Sequence, residues 1–187
     1  MNKIFLAVPL LLLSIFAVPS ASAASVQEQR AEINTMAKEA MNHLYKAHPS
    51  AKKAINQSYG YAVFSNTGIN LLLLSTARGG GVAIARASGK RTYMDMFSAG
   101  VGIGLGAKNY HGIFIFKTKS SFDNFVEHGW DFSGQADASA KKGEEGGAID
   151  EALSINPDVL YYQLTQKGLA LQATLQGTKY YKNDDLN

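Results

Sequence analysis

Four histidines, His43, His48, His111 and His128, are the side chains best suited to acid–base or metal chemistry near neutral pH. They are scattered, and none sits in H-E-x-x-H or a comparable ligand spacing. Serine, aspartate and histidine all occur, yet no G-x-S-x-G nucleophile elbow does. The chain has no cysteine, which removes disulfides, thiolate metal sites, cysteine nucleophiles and lipidation through an N-terminal Cys. Glu144-Glu145 and Asp184-Asp185 read as solvated loop and tail charges rather than metal ligands. No catalytic residue, metal ligand or cofactor is assigned, and the expectation is a protein without catalysis.

Glycine patterns raise two further possibilities. Gly102-x-Gly104-x-x-Ala107 superficially matches a dinucleotide fingerprint, which needs a strand before it, a helix after it and an acidic residue about 20 positions on. Here glycine alternates strictly from Gly100 to Gly106 and another strand-like run follows, so that reading fails. The alternation instead suggests a strand with one bare face, against which a helix or another backbone packs closely. Gly79-Gly80-Gly81, beside Arg78, has two readings: exposed amides for an anionic group, or a flexible turn or bulge between strands.

Charge is more directive than any motif. The net charge is only +3, but its distribution is uneven. Residues 51–120 carry nine Lys/Arg (Lys52, Lys53, Arg78, Arg86, Lys90, Arg91, Lys108, Lys117 and Lys119) against Asp95 alone. Residues 121–187 carry five against eleven. A basic strand region attracts anionic head groups at about 1 kcal/mol for each Lys or Arg near the surface. The alternative is that the acidic last third folds over the basic strands and neutralises them.

The elements that must position these residues follow from periodicity. With 46% hydrophobic and 18% charged residues, 187 residues suit one domain with a substantial core. Residues 25–47 read as a helix with an S-x-x-E capping box at Ser25 and Glu28. Its apolar stripe is Ile33, Met36, Ala37, Ala40, Met41 and Leu44. Pro49 stops it, and a short helix follows over Ala51 to Asn56. From Tyr59 the pattern turns to strands: Tyr61–Phe64, a turn at Asn66–Gly68, Ile69–Thr76, a break at Arg78–Gly81, then Val82–Arg86. A hairpin turn at Ser88–Lys90 leads to Thr92–Phe97. A turn at Asn109–Gly112 precedes Ile113–Phe116, and Ser120–His128 is helical with Gly129 as its stop. Residues 133–150 read as a polar, Gly-rich loop or weak helix, and Val159–Thr165 opens a final hairpin turning at Gln166–Gly168. Short gaps between strands favour antiparallel pairing. The expected fold is α+β: an antiparallel, barrel-like sheet with an N-terminal amphipathic helix and a second helix packed on it.

Residues 1–23 read as a secretory signal peptide: Lys3, an apolar run from Ile4 to Val18, then Ala21-Ser22-Ala23 as the cleavage site. That leaves 24–187 as a single domain, exported and expected in the periplasm. Nucleic acid is disfavoured as a partner on that ground.

The ordered set of motifs resembles the SYLF domain, a lipid-binding module of yeast actin-patch proteins (the Ysc84-related group) also found in exported bacterial proteins. It comprises Tyr59-Gly-Tyr-Ala-Val-Phe64, the Gly79–Gly81 run, the Gly100–Gly106 strand, the Gly134–Gly147 loop, Lys167-Gly-Leu-Ala-Leu171 and Leu175-Gln-Gly-Thr178. The resemblance implies a non-enzymatic lipid-binding module whose N-terminal amphipathic helix contacts membrane. This chain departs from the pattern at Thr92–Met96, where many members carry a Trp-Ser-x-Pro-like segment. Residues and resemblance together point to an exported module of the cell envelope binding anionic lipid or a membrane surface. Arg78, Arg86, Lys90, Arg91 and Lys108 would contact head groups, and Gly79, Gly80 and Gly81 would supply amides. The alternative is a structural or self-associating envelope protein, its partner a second copy or another protein.

Overall fold

The computed structural model describes residues 25–71, 74–101, 108–132, 152–165, 168–169 and 177–187, with 67–71, 74–78, 99–101, 108–109 and 168–169 described by backbone alone. The expected signal peptide, the Gly102–Gly106 alternation, the 133–150 loop and Gln166-Lys167 lie outside the described residues.

Helix α1 spans Val26–Ala47 and starts where the capping box places it. Glu28 N–H donates to the Ser25 hydroxyl, and Ser25 N–H donates to the Glu28 carboxylate at 2.7 Å, satisfying two otherwise orphaned donors. Ala37, Ala40, Met41 and Leu44 are buried, and Ile33 and Met36 pack against the same cluster. Helix α2, Pro49–Gln57, follows after His48. Pro49 therefore both ends α1 and opens α2, at a position where its missing N–H costs nothing.

The sheet is antiparallel throughout. Its strands are β1 Gly60–Leu71, β2 Leu74–Ala85, β3 Arg91–Val101, β4 Lys108–Phe116, β5 Trp130–Asp131, β6 Leu153–Asn156, β7 Val159–Thr165, β8 Gly168–Leu169 and β9 Thr178–Lys182. Helix α3, Lys119–His128, lies between β4 and β5. The order is β5-β9-β3-β2-β1-β4-β7-β6, with β8 beside β7. The fold class is the α+β arrangement expected.

Three expected breaks are corrected. Strand β1 runs through Asn66–Gly68, β2 through Arg78–Gly81, and β4 through Asn109–Gly112. Each interior strand is bonded on both sides, so tertiary pairing overrides residues that favour turns locally. The β1–β2 pairs stop at Phe64↔Gly81 and resume at Thr67↔Arg78, where the two backbones crowd together.

Alternation then builds two cores. Val63, Val82, Ile113, Ile115, Leu160, Tyr162 and Leu164 meet α1 and α2 on one face. Ala62, Phe64, Ala83, Met94, Met96, Phe114, Phe116, Tyr161 and Tyr180 meet α3 on the other, through Phe122 and Phe125. The segment after β9 returns to the first face. Leu186 is buried there, its carbonyl accepts from Arg30 Nε at 3.0 Å, and Asn187 bonds both backbone groups of Tyr93.

Candidate functional site

The cations singled out in the sequence separate into two groups. Arg86, Lys90 and Arg91 cluster at the β2–β3 turn, and all three are exposed. The turn forms as expected at Ser88–Lys90: Gly89 takes φ 68°, its N–H donates to Ala85 O at 2.8 Å, and Ala85 N–H donates to Lys90 O at 3.0 Å. Arg86 is held by its own backbone and side chain. Its N–H donates to Tyr59 O, and Nη1 donates to Ser58 O at 2.8 Å, at the end of α2. Lys52 and Lys53 are exposed on that helix.

Arg78 and Lys108 form the second group. Arg78 pairs with Thr67, and the next residue along, Gly68, pairs with Lys108, so the two lie on the strands that flank β1, one register step apart. Seven residues of extended chain separate Arg78 from Ala85, about 23 Å along the strand. One small head group therefore cannot touch both groups.

Two tyrosines complete the hairpin end. Tyr61 on β1 and Tyr45 in the last turns of α1 are half-buried. Burial pushes both hydroxyls above their ordinary range; Arg91 and Arg86 oppose this at Tyr61, and Arg86 at Tyr45. Both phenols are thus neutral O–H donors beside guanidinium groups, a set that matches phosphate or carboxylate oxygens. Among the described residues no carboxylate pairs with Arg86, Lys90 or Arg91; the ion pairs lie at Lys119–Asp123 and Lys179–Asp131.

The glycines serve the fold. A Cβ at Gly79 would overlap the Ser65 carbonyl, and one at Gly81 the Phe64 ring. Gly80 lies under α1, with Ile33 3.5 Å from where its Cβ would be. The amides of Gly79–Gly81 lie in a central strand between β1 and β3, and a strand's N–H groups point along the sheet toward its neighbours. The expected loop of outward-facing amides is corrected accordingly. The apolar stripe of α1 is likewise spent on the sheet, so membrane contact through that stripe would require α1 to detach.

The scattered histidines are partly gathered. His43 on α1 and His111 on β4 interact electrostatically, with Glu39 nearby; burial and His43 lower the His111 pKa while Glu39 opposes. Among the described residues no three His, Asp or Glu groups are placed to hold a metal ion.

Sequence reasoning missed a polar island inside the aromatic face. Asn66, Tyr110, Tyr161 and Tyr180 converge there, and burial pushes the last two hydroxyls well above their usual pKa. The Tyr161 and Tyr180 hydroxyls face each other, and the Asn66 side chain faces the Tyr110 hydroxyl, inside this otherwise apolar layer. Tyr180→Phe is expected to lower stability by about 1 kcal/mol, since it leaves the buried Tyr161 hydroxyl without its partner; thermal melts check it.

Residues 97–187 match the Ysc84 family, described as "Las17-binding protein actin regulator". The chain is also similar to Beta cell expansion factor A of Aeromonas veronii, 40% identical over 162 residues. That alignment takes in 87% of this chain and 60% of the relative's length. The family match begins at Phe97 within β3, leaving Arg86, Lys90 and Arg91 before it.

Proposed function

We propose that this chain, whose residues 97–187 match the Ysc84 (SYLF) family, is an exported, non-catalytic module that binds anionic lipid at a membrane surface. The observation that carries this reading is the β2–β3 turn, where Arg86, Lys90 and Arg91 stand exposed beside two neutral tyrosine hydroxyls. Contact there is peripheral and reversible: three cations at about 1 kcal/mol each give modest attraction that salt weakens. No described helix is long and apolar enough to cross a membrane. Export rests on the pattern in residues 1–23.

Co-sedimentation with vesicles tests the proposal. The protein is expected to pellet with phosphatidylglycerol-containing vesicles at low salt and to remain in solution with phosphatidylcholine alone. Arg86→Gln/Lys90→Gln/Arg91→Gln is expected to weaken binding by about 10²-fold, the equivalent of about 3 kcal/mol. Equal binding of neutral and anionic vesicles would overturn it. The family description names a protein partner, which favours a second reading as a protein-interaction module. Under that reading the triple substitution leaves vesicle binding unchanged.

A further inference from the structure

Away from the basic hairpin, an open cleft of about 530 Å³ lies between α3, β5 and the β6–β7 turn. Ser120 and Asn124, one helical turn apart, line one wall. Trp130 lines a second wall, and Pro157 and Asp158 a third. The indole is held by edge-to-face contacts with Phe125, with ring centroids 5.0 Å apart, and with Phe114 and Phe116. Its Nε1–H donates to Asn124 Oδ1 at 3.2 Å, which sets the ring's orientation.

The chemistry of the lining selects a ligand class. Among the described residues no Lys or Arg lines the cleft, the nearby Lys117 ammonium is turned to Pro157 O at 2.7 Å, and the lining itself carries the Asp158 carboxylate, which disfavours a phosphate or carboxylate ligand. The Asp131 carboxylate is already paired with Lys179 at 2.7 Å. A quaternary ammonium group wants several aromatic faces. Here Phe132 is buried and meets the indole edge-on at 86°, leaving Trp130 as the single platform. What remains is one aromatic platform ringed by a hydroxyl, an amide and a carboxylate. The C–H face of a pyranose stacks on such a platform while its hydroxyls both donate and accept at the rim. The geometry points to a binding site for neutral carbohydrate in this cleft, separate from the lipid-facing hairpin.

Trp130 is the sole tryptophan of the chain, so intrinsic fluorescence reads this site without interference. Titrating the protein with maltotriose and with N,N′,N″-triacetylchitotriose should give a saturable change with at least one of them, at a roughly millimolar midpoint for so open a site. Asn124→Ala should weaken it about tenfold by removing a rim group and freeing the indole. Ser120→Tyr, at an exposed position, should block the cleft and abolish the response while leaving the melting temperature unchanged. Arg86→Gln/Lys90→Gln/Arg91→Gln should leave the sugar response intact, which separates this site from the proposed lipid contact. Absence of saturation with both sugars would overturn the inference. So would a saturable response to choline, or one that Ser120→Tyr retains.

Discussion

Gly129→Ala is expected to destabilise the protein by about 3–5 kcal/mol, enough to leave much of it unfolded at 37 °C. Two effects combine at this position. Gly129 ends α3 with φ 68° and ψ −177°, a conformation open essentially to glycine. A Cβ there would also overlap the carbonyl oxygen of Tyr180, backbone that cannot swing aside. The residue links α3 to β5, and β5 pairs with β9 through Trp130↔Tyr180, so the damage falls where helix and sheet edge meet. Gly89→Ala separates the two effects. It has the same φ of 68° but nothing within 4 Å of the added methyl, and about 1 kcal/mol is expected. Urea denaturation of both variants measures the difference. Equal losses would show that backbone strain alone accounts for the Gly129 result.

Phe114→Ala is expected to cost about 3–5 kcal/mol, by lost burial and the cavity left behind. Phe114 is fully buried near the end of β4, and its ring lies 4.7 Å from Tyr161, 5.0 Å from Tyr180 and 5.3 Å from Phe125. These neighbours come from three different elements, so no single movement refills the space. The ring also backs Trp130 at 5.9 Å. Loss of stability should therefore come with a shift in tryptophan emission in the folded state. A stability loss below about 1 kcal/mol would mean that the aromatic layer repacks freely.

Local signals were enough for much of the framework. The capping box at Ser25 and Glu28, the four- and three-residue steps of Ala37, Met41 and Leu44, and Gly129 after Phe125 specify α1 and α3, because caps and helix periodicity act within a few residues. The turn at Ser88–Lys90 was equally legible. The order of glycine and aromatic motifs pointed to the family. The false turns at Asn66–Gly68, Arg78–Gly81 and Asn109–Gly112 share one cause. Their residues favour bends in isolation, while pairing with a neighbouring strand on at least one side holds them extended.

The sequence by itself determined the helices, the hairpin, the family likeness and the concentration of positive charge between residues 51 and 120. Only the tertiary structure decided how that charge is divided. Arg86, Lys90 and Arg91 gather at one end of β2, while Arg78 and Lys108 lie along the strand from them. It also decided that β9, near the last residue, pairs with β3 and β5, and that Trp130, Asn124 and Asp158 meet across a cleft. The physical reason is range. Caps, turns and amphipathic stripes are written in spacings of two to four residues, whereas register and convergent side chains depend on pairings between residues far apart in the chain, which no local spacing records.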